Sequence, residues 1–266
     1  MKKIFAKIAA TVATGAAVMS AYAFESPKAN AASLTIVNAG FETPVLQEGG
    51  FTFEGSPYTG AVPGWQVYDP DGIIASFTNP TGDFAGVGLY NPLVTTSPGA
   101  APEGNNIAYI YLPTYAPDLV QIGSGVAGLS QILSSTLAAN TLYTLKVDIG
   151  NIDFDTSPVD YSGFPGYEVQ LVAGGNVLAT ENALNPADGT FATSVLSFLA
   201  PANSSNLGDA LEIRLINRNA APGTEVLFDN VRLDATSVPE PASVLGLLAF
   251  GAIGATLTRK KKPAAD

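Results

Sequence analysis

The feature that most limits the fold of this 266-residue chain is a succession of short β-rich runs separated by turn clusters. Between residues 34 and 235 there is no heptad pattern, no sustained helical periodicity and no repeat of fixed length. Gly174-Gly175 separates two such runs and predicts a two-residue hairpin, because both turn positions adopt positive φ at little cost. Asp188-Gly189 predicts another turn into a strand. The pattern therefore predicts an all-β domain.

The runs with the clearest strand character share a high content of β-branched and aromatic residues. They cover residues 34–37, 65–68, 107–112, 142–149, 167–173, 190–199, 211–217 and 226–233. Because no strand–helix alternation is present, the sequence predicts one antiparallel β-sandwich of the jelly-roll kind. We expect this domain at residues 32–236, flanked by an amino-terminal signal helix and a carboxy-terminal hydrophobic helix.

The chain contains neither cysteine nor histidine. Disulfides, the usual zinc ligand sets, Cys-His dyads and Ser-His-Asp triads are therefore excluded, since each needs a thiol or an imidazole. Any catalysis must come from aspartate, glutamate, tyrosine or a hard metal ion. No phosphate-binding glycine loop precedes a helix, so no organic cofactor is expected.

The predicted domain is strongly acidic. Residues 32–236 contain 20 acidic and four basic residues, which gives a net charge of −16. Such a surface repels phosphate backbones and favours hard cations such as calcium, which bind carboxylate and carbonyl oxygens. Nucleic acid is not an expected partner.

The amino terminus has the layout of a secretory signal. Three lysines within the first seven residues precede an apolar run at 8–21, and small-residue cleavage sites end at Ala23 and Ala31. We expect a signal peptide at residues 1–31, with the mature protein beginning near Phe24 or Ala32. The alternative is a retained amphipathic or membrane helix.

The carboxy terminus contains a Pro239-Glu240-Pro241 motif, an apolar stretch at 243–257 and a basic cluster at 259–262. In this order the three parts resemble the PEP-CTERM sorting signal of Gram-negative bacteria, here at residues 237–262. The resemblance implies export, a transient membrane anchor, a membrane-embedded processing enzyme as partner, and delivery to the cell surface or extracellular matrix. The alternative is a permanent single-helix anchor that is not processed.

Two segments that are distant in the sequence contain acidic residues next to phenylalanines. Residues 38–42 end in Gly40-Phe41-Glu42, and the last predicted strand contains Phe228-Asp229. This pair resembles the first and last strands of carbohydrate-binding jelly rolls, and the resemblance implies that Glu42 and Asp229 bind a structural calcium ion. Alternatively, the two phenylalanines belong to the core and the carboxylates are only solvated.

A longer resemblance covers nearly the whole domain. The segments at 63–70, 101–112, 163–167 and 228–233 resemble the Stig cyclases of cyanobacterial indole alkaloid biosynthesis. This resemblance implies a calcium-dependent, dimeric jelly roll. It also implies that the domain catalyses a Cope rearrangement followed by cyclisation of an isonitrile-bearing indole terpenoid. Position 227, where the resemblance leads us to expect the catalytic acid, is occupied by Leu227.

Aromatic residues within these segments are candidate ligand-binding residues. Tyr109 and Tyr111 occupy alternate positions of one predicted strand and therefore share a face. The full candidate set is Trp65, Tyr68, Tyr109, Tyr111, Phe164 and Tyr167. Their alternative roles are a hydrophobic core or a platform for stacking sugars.

Three functions are compatible with this sequence. The first is an exported, calcium-stabilised binding module for a glycan or another extracellular ligand, which predicts an open aromatic groove. The second is a Stig-cyclase-like enzyme acting on an apolar small molecule, which predicts a closed aromatic pocket with a buried carboxyl group, Asp69 and Glu103 being the nearest candidates. The third is a structural matrix protein without a pocket.

Overall fold

The computed structural model describes residues 31–55, 60–75, 85–96, 98–112, 125–153, 155–156, 159–160, 163–220 and 223–238. These residues form strands and no helix. The strands are β1 (Ala31–Leu34), β2 (Gln66–Tyr68), β3 (Gly86–Tyr90), β4 (Ile107–Tyr111), β5 (Ala127–Thr136), β6 (Thr141–Gly150), β7 (Asp155–Thr156), β8 (Val159–Asp160), β9 (Tyr167–Ala173), β10 (Asn176–Glu181), β11 (Phe191–Ala200), β12 (Ala210–Asn217) and β13 (Glu225–Ser237).

The strands form two main antiparallel sheets. A six-stranded sheet has the order β11-β6-β13-β4-β3, and β1 also pairs with β13. A five-stranded sheet has the order β10-β9-β12-β5-β2, while β7 and β8 pair only with each other. The predicted all-β antiparallel sandwich is confirmed, and its jelly-roll topology stays a prediction.

Both predicted terminal helices lie outside the described residues. The same holds for the apolar stretch at 243–257 and for the Pro239, Glu240 and Pro241 motif. Within the part of the chain that the structure describes, no helix has the length and hydropathy needed to cross a membrane.

The hairpin predicted at Gly174-Gly175 is confirmed. Gly174 has φ 56° and Gly175 has φ 79°, and they connect β9 to β10. Strand β3 was not among the predicted runs, because Gly86 and Gly88 lower its β propensity. The structure shows why glycine lies at position 88: an added Cβ would be 2.1 Å from the carbonyl oxygen of Thr52, in the segment beside β3.

The inner faces of the two sheets share one hydrophobic core. Leu145 and Phe228 of the six-stranded sheet and Leu171 and Ile213 of the five-stranded sheet are fully buried in it. Full burial of one such side chain contributes about 1.5–3 kcal/mol. This core explains the alternation along each strand, in which every second side chain points inward.

Strand β4 is buried on both of its faces. Ala108 and Ile110 belong to the core, while Ile107, Tyr109 and Tyr111 point to the opposite side and are also buried. A sheet face that is open to water would leave these side chains exposed. The outer face of the six-stranded sheet therefore carries a second buried cluster, and this cluster positions the candidate site.

Candidate functional site

The buried cluster on the outer face of the six-stranded sheet, here called the outer aromatic cluster, consists of Ile107, Tyr109, Tyr111, Ile152 and Leu227. Tyr109 is only 6% exposed and Tyr111 only 3%. Half-buried side chains that pack against the cluster are Phe53, Tyr90, Ala101 and Phe191. The arrangement is a closed apolar and aromatic environment rather than an open groove.

Strand register explains how this cluster forms. Tyr109 of β4 pairs with Leu227 of β13, Leu227 pairs with Gly150 of β6, and Gly150 pairs with Phe191 of β11. A Cβ at Gly150 would lie 2.5 Å from the Phe191 ring and 2.9 Å from the Cβ of Leu227. Glycine at this position therefore lets the Phe191 ring lie over the sheet beside Leu227.

Tyrosine side chains extend the cluster towards β3. The Tyr90 and Tyr109 rings meet edge to face, with centroids 6.0 Å apart and an interplanar angle of 62°. The Tyr109 hydroxyl donates a hydrogen bond to the carbonyl oxygen of Thr52 at 2.8 Å. This bond fixes the Tyr109 ring, since a buried phenol needs a partner for its hydroxyl group.

Glu225 places a carboxyl group beside this cluster. It begins β13, pairs with Tyr111 of β4 and shares a strand face with Leu227. Its side chain is 8% exposed, and no hydrogen-bond partner for its carboxyl group occurs among the described residues. Burial raises the pKa of Glu225 to about 8. The group is therefore mainly a neutral acid at pH 7 and has a proton to donate.

The tyrosines beside Glu225 remain neutral phenols. Burial, and after it the nearby charge of Glu225, raises the pKa of both Tyr90 and Tyr109 above the usual value for tyrosine. Glu225 is consequently a stronger acid than the two phenols, Tyr90 and Tyr109, that lie beside it.

The sequence prediction missed Glu225 because it began the last strand at residue 226. The two candidates it named for a buried acid have other environments. The side chain of Glu103 is exposed, and the half-buried Asp69 accepts hydrogen bonds from the backbone N–H groups of Ile73, Ile74 and Ala75 at 2.8–3.1 Å. The signal that could have found Glu225 is its alternation with Leu227, which places both on one face of a strand.

Two of the six predicted ligand-binding aromatics lie in the core between the sheets. Trp65 packs on Phe41 with ring centroids 5.4 Å apart, and its Nε1 donates to the carbonyl oxygen of Asn38 at 3.2 Å. Tyr167 is fully buried and its hydroxyl donates to Glu181. These contacts make both side chains part of the packing between the sheets.

Tyr68 lies on the outer face of the five-stranded sheet. The guanidinium carbon of Arg214 lies 4.8 Å from the centroid of its ring, a cation–π contact. Arg214 also forms a bidentate ion pair with Glu212, with N–O distances of 2.7 and 3.1 Å. Tyr68 is therefore on the side of the sandwich opposite to Tyr109 and Tyr111.

Phe164 borders a separate cavity of about 610 Å³, which is also lined by Asn151 and Asp188. Its ring centroid is 6.2 Å from that of Tyr167. Of the six predicted aromatics, Tyr109 and Tyr111 are the two that lie in the outer aromatic cluster.

The candidate metal residues Glu42 and Asp229 both bind the loop at residues 103–106. The backbone N–H groups of Asn105 and Asn106 donate to Glu42 Oε1, each at 2.8 Å, and the N–H of Glu103 donates to Asp229 Oδ2 at 2.9 Å. Three segments that are distant in sequence therefore meet here, as the proposal of a shared ion requires.

A β-bulge in β13 positions Asp229. The register with β6 shifts between Asp229 and Arg232, and Asn230 has φ 53°. The Asn230 side chain donates to Asp148 Oδ2 at 3.0 Å, and the Val231 N–H donates to the carbonyl oxygen of Ala39 at 3.0 Å. The bulge therefore joins the last strand to the loop that contains Glu42.

The electrostatics around Asp229 favour a bound cation. Asp229 is fully buried, and burial raises its pKa to about 8 although the backbone N–H groups of Glu103 and Asn230 donate hydrogen bonds that lower it. The side-chain oxygen of Asn106 is also buried, and none of the described residues donates a hydrogen bond to it. A calcium ion binds carboxylate, amide and carbonyl oxygens, so these groups fit it.

The described residues contain no group of three acidic side chains arranged to hold a metal ion. Glu42 and Asp229 would therefore need further oxygen ligands from the backbone, from Asn106 or from water. Calcium accepts such mixed oxygen sets, whereas zinc prefers the nitrogen and sulfur ligands that this chain lacks.

The fold and the outer aromatic cluster define an antiparallel β-sandwich domain with a closed aromatic site on one sheet. The family described as HpiC1 cyclase matches residues 32–234, and the chain belongs to this family. The PEP-CTERM protein-sorting motif matches residues 237–262, which confirms the predicted sorting signal and supports export. Among curated proteins, none matches the chain.

Solved structures agree with the family assignment. A cyclase from Fischerella sp. TAU is 38% identical, with a TM-score of 0.69, over 79% of this chain and 100% of that one. The Stig cyclase FisC from the same source, in complex with (3Z)-3-(1-methyl-2-pyrrolidinylidene)-3H-indole, is 39% identical with the same coverage and TM-score. A third structure, a Fischerella sp. TAU cyclase in complex with 4-(1H-indol-3-yl)butan-2-one, is 40% identical over 79% of this chain and 100% of that one, with a TM-score of 0.66.

Proposed function

We propose that the domain binds an indole-bearing or similarly flat apolar small molecule at the outer aromatic cluster and promotes its rearrangement and cyclisation. The observation that carries this proposal is the closed cluster around Tyr109, Tyr111 and Leu227, with the buried carboxyl group of Glu225 beside it. The cyclase hypothesis predicts a closed aromatic pocket with a buried carboxyl group, and this cluster and Glu225 would supply the aromatic side chains and the acid. A glycan-binding module required an open platform.

Two of the solved relatives support the choice of ligand. Their structures contain indole compounds, and both relatives are about 40% identical to this chain. Indole presents a flat aromatic ring, and aromatic side chains bind such rings through edge-to-face and offset-stacked contacts. Tyr109 and Tyr111 of the cluster, and Tyr90 and Phe191 packed against it, are aromatic side chains of this kind.

The chain's own residues would act by holding the substrate and excluding water. Tyr109 is fixed by its hydrogen bond to Thr52, and Phe191 by its contact with Gly150, so the cluster offers a preformed surface. A preformed apolar site that folds a flexible substrate into its reactive conformation lowers the entropic part of the barrier. The reaction would be an isomerisation, in which no atoms are gained or lost.

The test is a binding titration of the full-length chain, purified in detergent with calcium, against 4-(1H-indol-3-yl)butan-2-one by calorimetry. We expect saturable binding that is lost in Tyr111→Leu, which removes a ring from the cluster. The matched control is Tyr68→Leu, which removes a tyrosine from the outer face of the other sheet and should leave binding unchanged.

The same variants test the glycan alternative. Titration with a panel of soluble oligosaccharides should give no heat for the wild type if the proposal is right. Saturable oligosaccharide binding that is lost in Tyr68→Leu and retained in Tyr111→Leu, with no binding of the indole ketone, would refute the proposal in favour of a glycan module.

We further propose that a structural calcium ion binds between Glu42 and Asp229, with Asn106 as a candidate additional ligand. The proposal is supported by the buried Asp229 carboxyl group and by the buried Asn106 oxygen, to which none of the described residues donates a hydrogen bond. Because the ion would join the first loop, the loop at 103–106 and β13, it would stabilise a sandwich that has no disulfides. It would hold the sheet that carries the outer aromatic cluster.

Thermal unfolding with calcium and with chelator tests this site. At a free calcium concentration about 100 times the Kd, the ion should stabilise the fold by about 2.7 kcal/mol. This increment should disappear in Glu42→Gln and persist in Glu48→Gln, a matched change of an exposed residue in the same loop region. An equal increment in both variants would place the ion elsewhere.

The sorting motif supports export and processing at the membrane. We propose that the domain then resides at the cell surface or in the extracellular matrix. Fractionation of cells that produce the full-length chain, with and without residues 237–262, would test this: retention of the truncated chain in a different fraction is expected.

A further inference from the structure

We propose that Glu225 is the proton donor of the outer aromatic cluster, in place of the acid that the family resemblance leads one to expect at Leu227. This inference rests on the function proposed above. Leu227 is fully buried in the cluster and has no proton to give, so an acid for the proposed reaction would have to come from another side chain on the same surface. Glu225 is the carboxyl group that the fold brings there.

Strand geometry allows an acid at position 225 to act in place of an acid at position 227. Residues 225 and 227 are two positions apart on β13, so both side chains point to the outer face of the sheet, about 7 Å apart along the strand. Glu225 pairs with Tyr111 and Leu227 pairs with Tyr109, so the two positions face successive tyrosines of β4. A substrate that spans both tyrosines would lie within reach of either position.

The surroundings leave the Glu225 carboxyl group available to a ligand. Glu225 is only 8% exposed, yet its side chain makes no hydrogen bond or ion pair among the described residues. By contrast, the buried Asp148 accepts a hydrogen bond from Thr193 and faces Arg232 at 3.7 Å. A buried carboxyl group with no partner in the described part of the chain is unusual for a fold, and functional sites are where such groups are retained.

Burial keeps Glu225 in the acid form, and the charged and titratable groups around it do not oppose this. From β3 and β4 it is faced by the phenols of Tyr90, Tyr109 and Tyr111. On its own strand the next carboxyl group is Asp229, about 13 Å further along. From β6, its neighbour on the other side, the outer face presents Gly150 and then Asp148, which pairs with Asp229. Nothing in this described set supplies a positive charge that would favour the carboxylate.

The proposed step balances without a cofactor. The O–H bond of the Glu225 carboxyl group breaks as its proton moves to a basic atom or double bond of the substrate. The resulting carboxylate takes back one proton when the cyclised product loses it, so the enzyme returns to its starting state. Proton transfer by a positioned side chain of this kind accelerates reactions by about 10²–10⁴-fold.

The test measures the pH dependence of binding of 4-(1H-indol-3-yl)butan-2-one, whose ketone oxygen accepts a hydrogen bond. The full-length chain in detergent, saturated with calcium, is titrated between pH 6 and pH 10. If only the acid form of Glu225 donates to the ketone, the apparent Kd of the wild type should rise about tenfold between pH 7 and pH 9. Burial raises the pKa of Tyr90 and Tyr109 above the usual value for tyrosine, so these two phenols stay neutral over this range and do not contribute.

Three variants distinguish the role of Glu225 from a general effect of pH. Glu225→Gln keeps a donor that does not titrate, so its Kd should match that of the wild type at pH 6 and stay constant to pH 10. Glu225→Leu keeps an apolar side chain and should bind weakly at every pH. Asp234→Asn, a matched change on the same strand, should follow the wild type.

The possible results have distinct meanings. A wild-type Kd that does not change with pH, or a Glu225→Gln variant that keeps the wild-type pH dependence, would overturn the role of Glu225 and leave the proposed function intact. Absence of binding by the wild type at every pH would overturn the proposed function and this inference with it. Circular dichroism of each variant confirms that it is folded.

Discussion

Replacing Glu225 with glutamine should stabilise the fold by an amount that increases with pH. The usual pKa of a glutamate is 4.5, and burial raises that of Glu225 to about 8. Between these values the unfolded chain is ionised at this position while the folded chain keeps its proton. The wild type must therefore become less stable as pH rises from 4.5 to 8, and it regains nothing above pH 8.

The size of the effect follows from the shift. Each pH unit between the two pKa values costs the wild type about 1.4 kcal/mol of unfolding free energy. The advantage of Glu225→Gln over the wild type should therefore grow by about 2 kcal/mol from pH 4 to pH 6 and by about 5 kcal/mol from pH 4 to pH 9. Asp229 titrates in both proteins, so the difference between them isolates Glu225.

Urea-induced unfolding of both full-length proteins, followed by circular dichroism at pH 4 to 9, measures this difference. Asp234→Asn serves as the control, and its difference from the wild type should not grow with pH. A difference between Glu225→Gln and the wild type that stays constant over the range would show that Glu225 is ionised or solvated in the folded protein. The description of a buried neutral acid would then be wrong.

Two further changes probe the packing around the sites. Gly150→Ala should destabilise the fold by about 1–3 kcal/mol, because the new methyl group would collide with Phe191 and Leu227. Thermal unfolding measures the loss of stability, and loss of indole binding should accompany it. Unchanged stability would contradict the close packing. Tyr167→Phe should cost about 1–3 kcal/mol in urea unfolding, because Glu181 loses a buried hydrogen-bond donor. The same cost in a Glu181→Gln background would show that the Tyr167 hydroxyl acts independently of the carboxylate.

Local signals determined most of the strand layout. The run at 167–173 corresponds to β9 without change, since it is rich in β-branched and aromatic residues and ends at a Gly-Gly turn. Strands β3 and β5 were missed, because glycines in β3 and serines in β5 hide their β character. In both cases the pairing with neighbouring strands, rather than propensity, decides the structure.

The candidate site was predicted less well than the fold. Period-two alternation showed that Tyr109 and Tyr111 share a face, and they do. It could not show that Trp65 and Tyr167 point into the core and Tyr68 to the far side, because alternation does not say which face of a strand is covered. The environment of each of these aromatic side chains is decided by contacts with other strands that are distant in sequence.

The sequence by itself determined the all-β class, the acidic character of the domain, the sorting signal and the absence of thiol and imidazole chemistry, since each follows from residue type and local spacing. Only the tertiary structure decided that the outer face of the six-stranded sheet is covered around β4, and hence that Glu225 is buried and its pKa raised. The physical reason is that a pKa shift comes from loss of water around a group. The loss of water at Glu225 depends on Tyr90, Tyr109 and the other side chains that three strands bring together in space.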